Sequence, residues 1–333
     1  MKQRLSVVAR AATFVHLLVL VGATALAVFV GDRYWPGALL MLLPLPALAV
    51  PAAIVVPALA LLRLWRLVLA EAIALLVAAI FLLGGNVSPP DFGPATFRLL
   101  AWNVHFGDAG TEAFARELRS IAPDVAIFEA TNHRAHDALL AAFPTFHVEG
   151  LSSYSIASRF PILDRSVPWE LATRSGTPYA RFTLETPAGP VKIFAVHPVS
   201  QRGAFYKTFR HGGLRRALRV ARDLFTEDYD RRRNELSSLA REAAAAGPRV
   251  LVAGDFNVAG RSQLLASLFG DFQDSFAERG TGFGYTFPVR YPFLRLDRIL
   301  GKGFQFVRTG VGGKQASDHR PVYADVALAP PGG

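Results

Sequence analysis

Apolar residues are concentrated at the N-terminal end of the chain. Three nearly uncharged stretches, near residues 11–31, 37–62 and 67–83, each approach the length needed to cross a bilayer. From about Thr96 the apolar runs shorten to a few residues and alternate with polar segments, the pattern of buried strands separated by helices and turns. The first part predicts a transmembrane anchor of three helices over residues 1–85. The second predicts a mixed α/β layered domain over residues 96–329. Between them, residues 86–95 continue the Gly84-Gly85 pair into a proline-rich stretch, a short and partly stiffened linker.

A cleaved signal peptide explains only the first stretch, and two more follow it. Pro44, Pro46, Pro51 and Pro57 interrupt the second, so a kinked or re-entrant segment is the alternative to a regular span there. Lys2, Arg4 and Arg10 precede the first stretch, and Arg63 and Arg66 fill the second loop. The first loop offers only Arg33 against Asp32. Positive loops stay inside, which puts the N-terminus in the cytoplasm and the C-terminal domain outside the plasma membrane. Glu71, about five residues from Arg66, reads either as a functional carboxylate or as a residue near the interface that reaches water.

In the second part, strands are expected at 97–103, 125–129, 145–149, 154–158, 179–185, 191–197, 250–257, 296–300, 304–308 and 322–328. Helices are expected at 111–120, capped by Thr111, at 135–142 and at 214–246, the last broken near 225–230.

Several apolar runs stop abruptly at a polar residue. Leu99-Leu100-Ala101-Trp102 ends in Asn103, Val125-Ala126-Ile127-Phe128 in Glu129, Ile193-Phe194-Ala195-Val196 in His197, and Val250-Leu251-Val252-Ala253-Gly254 in Asp255-Phe256-Asn257. Side chains alternate across a strand, so Asp255 and Asn257 are expected on one side with Phe256 in the core. In layered α/β proteins such strand ends share a mouth. Each residue also has an ordinary reading: Glu129 as a solvated charge, Asp255 and Asn257 as turn formers, His197 as a core imidazole on a carbonyl, Asp297 as the ion-pair partner of Arg295 or Arg298. Together they provide what phosphoester hydrolysis needs. Asp255 orients or deprotonates a water, Asn257 and His197 donate to phosphoryl oxygens, and Glu129 with Asn103 offers hard oxygen ligands for Mg²⁺, or Mn²⁺ in its place. His105 and Asp108 lie just past Asn103, where they line the same mouth.

Trp102-Asn103-Val104, Phe128-Glu129, Ser158-Arg159-Phe160-Pro161-Ile162, His197-Pro198, Gly254-Asp255-Phe256-Asn257, Leu296-Asp297-Arg298-Ile299-Leu300 and Ser317-Asp318-His319-Arg320-Pro321-Val322 resemble, in order, the motifs of the endonuclease/exonuclease/phosphatase superfamily. The resemblance implies a four-layer sandwich, two face-to-face mixed sheets flanked by helices, and divalent-metal-dependent phosphoester cleavage. It implies that Glu129 is the main metal ligand, that His319 binds the phosphoryl group, that Asp318 contacts His319, and that Asp297 supports the leaving-group side or a metal water. The three-span prefix is similar to a bacterial branch that includes teicoplanin-resistance membrane proteins of vancomycin-resistance clusters, which act on a polyprenyl pyrophosphate.

Charge adds a further feature. The net charge is +10, and the stretch from Arg202 to Arg233 carries ten basic residues, Arg215, Arg216, Arg219 and Arg232 among them, interleaved with Phe205, Tyr206 and Phe209. It reads as a solvated helix face or as a surface for an anionic partner. A lipid bilayer and lipid-linked phosphate fit the spans, and nucleic acid also fits the arginines and aromatic residues. The competing functions are a membrane-tethered phosphatase or phospholipid phosphodiesterase, an extracellular tethered nuclease, and an inactive tethered binding module. With no cysteine in the chain, no disulfide partner or disulfide framework is available.

Overall fold

The computed structural model describes residues 2–89, 93–105, 111–173, 176–187, 189–210, 213–260, 262–313 and 316–329. The chain forms two compact units, one of Met1–Gly85 with Gly203–Thr226 and Ala259–Leu264, the other of Asn86–Arg202, Glu227–Val258 and Leu265–Gly333.

In the first unit, helix α1 (Lys2–Ala25) continues in helical form to Arg33, giving 32 residues long and apolar enough to cross a membrane. Helix α4 (Trp65–Val77) continues to Leu82 and provides a second such segment of 18 residues. Between them lie α2 (Trp35–Met41) and a leg ending in α3 (Ala52–Leu61), bent by 80° against each other. The prolines expected to disturb this stretch sit at and beyond the bend. His16 meets Glu71 at 2.8 Å, and Leu20 and Ala27 cluster with Ala78 and Leu82. Equal steps along α1 and α4 therefore match in the same direction, so the two helices are parallel. The chain between them must return along their whole length, which the bent segment does.

Glu71 is completely buried rather than reaching water. Pro51 has no N–H to offer the Leu48 carbonyl, and Nε2 of His16 approaches that oxygen at 2.8 Å while Nδ1 of the same ring meets Glu71. A buried carboxylate on an apolar helix persists because the broken neighbouring segment creates a second polar group and one imidazole serves both.

The first unit also includes most of α7 (Arg202–Arg210) and the start of α8 (Leu214–Ala245). Ala204, Ala221 and Phe225 pack with Ala38 and the partly buried Trp35, Leu39 and Leu42. Helix α8 runs unbroken for 32 residues, because the acidic stretch at 225–230 contains neither glycine nor proline and keeps its backbone ladder. Within the same unit the buried Asp32 side chain accepts from Ser262 Oγ and from the Gln263 N–H at 3.2 Å.

The second unit holds two mixed six-stranded sheets flanked by helices, as expected. One is ordered β11 (Phe304–Val311), β12 (Val322–Leu328), β1 (Phe97–Asn103), β2 (Val125–Glu129), β4 (Tyr154–Ser158), β3 (His147–Leu151). The other is ordered β5 (Ile162–Ser166), β6 (Tyr179–Thr186), β7 (Gly189–Val196), β8 (Val250–Asp255), β10 (Asp297–Lys302), β9 (Gln273–Asp274). Leu99, Ile127 and Ile156 from the first sheet and Phe182, Ile193, Leu251 and Ile299 from the second form one buried core between them. The outer face of the first sheet packs Leu100, Trp102 and Phe128 against Phe114 and Leu118 of α5 (Thr111–Ile121) and Leu139 of α6 (His133–Ala142). Asn132 caps α6 by accepting from the Ala135 N–H, whereas the Thr111 side chain lies outside the described residues. On the outer face of the second sheet, Ser238 and Glu242 of α8 bond Tyr179 and Arg181 of β6. The start of the linker stretch is docked: Nδ2 of Asn86 donates to the carbonyls of Phe276 and Gly280, at 2.7 and 2.9 Å.

Candidate active site

Four strands end at one edge of the inter-sheet space, and alternation decides what each delivers there. On β1, Leu99 and Ala101 face the inter-sheet core, so Asn103 follows them inward. Val125 and Ile127 on β2 lead likewise to Glu129, Leu251 and Ala253 on β8 lead to Asp255, and Ile299 on β10 shares its face with Asp297. Register then sets Asn103 beside Glu129 in one sheet and Asp297 opposite Asp255 in the other.

Asp255 is the hub. Its Oδ2 accepts from Nδ2 of Asn103 at 3.1 Å, lies 3.6 Å from Nε2 of His319 and 3.9 Å from Nε2 of His197, while Oδ1 accepts from the Asn257 N–H at 2.8 Å. The backbone N–H of His105 donates to Oδ1 of Asn103, turning the carboxamide so that its nitrogen faces Asp255. Nδ1 of His319 is 2.9 Å from Oδ2 of Asp297, and the backbone N–H groups of Leu296 and Asp297 donate to Thr286 Oγ1. Asp255 and Asp297, both about 1% exposed and directly opposite, would repel if nothing lay between them. His319 is placed against both. Burial opposes its charge most strongly, but Asp297 and Asp255 together outweigh burial and raise the imidazole to about 9. His197, partly exposed, goes the other way: burial lowers it more than Asp255 raises it.

Glu129 is completely buried, and among the described residues neither of its oxygens has a hydrogen-bond partner. Burial, with Asp297 and then Asp255 adding to it, holds its carboxyl well above the usual carboxylate range. The charged form of Glu129, beside Asp297 and Asp255, has no compensating partner among the described residues. The residues fit a hard divalent cation, since orphaned carboxylate oxygens beside a carboxamide are the donor set such ions take. Asp255, Asp297 and His319 also present ligand atoms within 4.8 Å of one another. Nδ1 of His319, however, is committed to Asp297, so Glu129 is the group whose partner is missing. Gly254 makes room for it. A Cβ there would stand 2.6 Å from Oε1 of Glu129 and 2.5 Å from the Val196 carbonyl, at φ +135°, a backbone open to glycine alone.

The structure thus brings together Asn103, Glu129, His197, Asp255, Asn257, Asp297 and His319. Three expectations are corrected. Asp318 does not hold the His319 ring; its carboxylate pairs with Arg202 at 3.1 Å, because neighbouring side chains diverge and only His319 turns inward. Asp297 holds the ring instead, and Arg295 and Arg298 pair with Asp274. The strand ends at Asp255, so alternation does not carry on to Asn257, which adopts a left-handed backbone (φ 52°) and donates from Nδ2 to the Pro198 carbonyl at 3.0 Å. Arg232 is not on a basic face: it is buried and donates to the Asn257 carbonyl at 2.7 Å. His105 is exposed at the rim, Asp108 lies outside the described residues, and Arg215, Arg216 and Arg219 are exposed on α8.

Several supporting residues had no role assigned to them from the sequence, although Trp102 and Ser317 stand within the family motifs. Ser317 Oγ donates to the Asn103 carbonyl at 2.6 Å and accepts from the His319 N–H, and Nε1 of Trp102 donates to the His319 carbonyl at 3.0 Å. Phe287 lays its ring 4.7 Å from the His319 ring, with the Arg202 guanidinium 4.5 Å from the phenyl centroid. A serine two residues before a histidine or a phenylalanine in a polar loop reads as an ordinary turn residue until the fold brings it back.

A sequence model of the Endonuclease/Exonuclease/phosphatase family matches residues 100–319. Among solved structures, an endonuclease/exonuclease/phosphatase from Bacteroides vulgatus is 16% identical, covering 70% of this chain and 99% of its own, with a TM-score of 0.53. A humanized D. rerio TDP2 is 14% identical over 70% and 99%, with a TM-score of 0.52. A mannosyl-6-phosphatase from Bacteroides thetaiotaomicron is 15% identical over 70% and 100%, with a TM-score of 0.51. No curated protein matches the sequence.

Proposed function

We propose that this chain, which belongs to the endonuclease/exonuclease/phosphatase family, is a membrane-anchored, divalent-metal-dependent phosphoester hydrolase whose substrate is a lipid-linked phosphate or pyrophosphate, of which a polyprenyl pyrophosphate is the model case. The observation that carries the hydrolase reading is the convergence of Glu129, Asn103, Asp255, Asp297, His319 and His197 at one mouth between the sheets. The neighbours that act on DNA or on sugar phosphate share only the fold at this level of identity, so their substrates do not transfer.

Glu129, with Asn103 beside it, would hold the cation, Mg²⁺ or Mn²⁺, whose contribution when bound is to neutralise charge on the phosphoryl oxygens. The remaining work falls to the chain. Asp255, an acceptor already held by Asn103 and the Asn257 N–H, orients the attacking water and takes its proton. His319, kept protonated by Asp297, donates to a phosphoryl oxygen as negative charge grows there. His197, held neutral by burial, and Asn103 offer further ring and carboxamide donors. Asp297 fixes the angle of the His319 ring while Thr286 fixes Asp297. Asp318 with Arg202 forms a rim ion pair outside the water-orienting step.

Support for the lipid substrate comes from the first unit. Two helices of spanning length run parallel, with a bent apolar segment returning between them. The basic loops at 2–10 and 63–66 favour a cytoplasmic N-terminus and a catalytic domain outside the plasma membrane. The test is phosphate release by the full-length protein in detergent, with and without Mg²⁺, from polyprenyl pyrophosphate, phospholipid and DNA. Metal-dependent release greatest from the lipid pyrophosphate supports the reading. Cleavage of DNA alone selects a tethered nuclease, and no turnover with any of the three leaves a binding module.

A further inference from the structure

We infer that α7 and the first turns of α8 form an interfacial surface that binds the headgroups of anionic lipids. The inference rests on reading the first unit as a membrane anchor. Between Gly203 and Thr226 the chain carries Lys207, Arg210, Arg215, Arg216, Arg219 and Arg222 against Asp223 as its only acid. On α8, Leu214, Leu218, Ala221 and Phe225 are spaced i, i+4, i+7, i+11 and make one apolar stripe. The last two are buried against α2 with Ala38, but the stripe runs on uncovered, with Leu214 75% and Leu218 42% exposed. Arg215, Arg219 and Arg222 flank it on one side.

Helix α7 repeats the design. Ala204 and Thr208 are buried, whereas Tyr206 and Phe209 are each 61% exposed, with the Phe209 ring tilted against Phe205 at 5.0 Å and with Lys207 and Arg210 on the exposed surface. Apolar side chains in line with a buried stripe, left bare and rimmed by arginine, have the order of groups met on entering a bilayer surface. Acyl chains accept the leucines and aromatic rings, and anionic headgroups accept the long basic side chains. The chemistry also explains placement, since this segment belongs to the compact unit with the apolar helices although it lies between His197 and β8 in sequence. A nucleic acid would use the same cations but gives bare leucines no partner.

Because the chain has no cysteine, single sites can be labelled without background. Nitroxide labels at Leu214→Cys and at Val15→Cys, the latter 58% exposed on α1, are read for oxygen and nickel-chelate accessibility in the full-length protein. The protein is reconstituted in phosphatidylcholine vesicles with and without phosphatidylglycerol. The Val15 label should lie in lipid in both. The Leu214 label should lie in lipid in the anionic vesicles and return to water in high salt or without phosphatidylglycerol. Exchanging Arg215, Arg216 and Arg219 for Gln should reduce its lipid occupancy about fivefold per side chain, up to about a hundredfold together. Should that variant fold poorly, the salt response of the unaltered surface reads the same quantity. A Leu214 label in water in anionic vesicles, with Val15 in lipid, overturns the inference and leaves the anchor standing; Val15 in water removes both. Single-stranded DNA that shields Leu214 where lipid does not also overturns it.

Discussion

Nδ1 of His319, in the loop before β12, lies 2.9 Å from Oδ2 of Asp297, 22 positions earlier on β10, while Asp318, next to His319 in the chain, pairs with Arg202. The contact decides two properties of the site at once. It commits one ring nitrogen to Asp297 and so points Nε2 at Asp255, 3.6 Å away. It also keeps a proton on a buried ring that burial alone would strip.

The first prediction follows from that proton. The imidazole is raised from its ordinary 6.5 to about 9, so its contribution to stability is fully present below about pH 6.5 and is lost as pH rises through about 9. Asp297→Asn should flatten this part of the melting-temperature profile of the metal-free protein and lower turnover roughly a hundredfold. Asp318→Asn should change the profile little. A variant at Asp297 that keeps the wild-type profile would contradict the assignment.

Glu129 supplies the second prediction. Its carboxyl is raised, so the metal-free protein should lose stability as pH rises from the ordinary carboxylate range, and Mn²⁺ or Mg²⁺ should restore it. Glu129→Gln should melt higher than wild type without metal at neutral pH, while its Mn²⁺ affinity, followed calorimetrically, falls at least about tenfold, as removal of a charged ligand implies. Gly254→Ala should lose metal as well and cost about 2 kcal/mol in strain and displacement, since its Cβ meets both Glu129 and the Val196 carbonyl. Equal metal affinity in wild type and Glu129→Gln would remove Glu129 as the ligand.

What could be read in advance divides along physical lines. The ends of β1, β2 and β8 were legible because apolar runs buried on both faces stop at a single polar residue, and alternation then fixes the face of Asn103, Glu129 and Asp255. Strand β5 was not, because it is an edge strand and most of Ile162–Ser166 is exposed, so it needs no apolar run. Asn257 lay one turn beyond the reach of alternation. The exchange of Asp318 for Asp297 as the ring's partner is long-range, and sequence adjacency favoured the wrong carboxylate. The burial of Glu71 was illegible for the same reason: its partner His16 is 55 positions away, and the Leu48 carbonyl that the same ring meets is released by Pro51, whose effect depends on which helix packs beside it.

A third prediction concerns that pair. His16→Leu strips the buried Glu71 carboxylate and the Leu48 carbonyl of their partner and should cost about 3 kcal/mol, measured by denaturation in detergent. His16→Leu combined with Glu71→Leu should be less damaging than His16→Leu alone, because the stranded polar group goes with it. Equal losses in the single and double variants would show that the contact contributes nothing.

The fourth concerns orientation. A reporter active only outside the cytoplasm, fused after Pro94, should be active, because basic residues flank the two segments assigned to the inside. Activity confined to a cytoplasmic reporter would reverse the anchor and take the extracytoplasmic catalytic domain with it.

We assign to Asp255, gathered with Asn103, His319 and His197 at the mouth between the sheets, the preparation of water for attack on phosphorus. This role is tested by metal-dependent phosphate release from a lipid pyrophosphate by Asp255→Ala, with its melting temperature checked beside wild type. The variant should fold, still bind Mn²⁺ through Glu129 and turn over at least about a hundredfold more slowly. A folded Asp255→Ala protein with near-wild-type turnover would contradict the role.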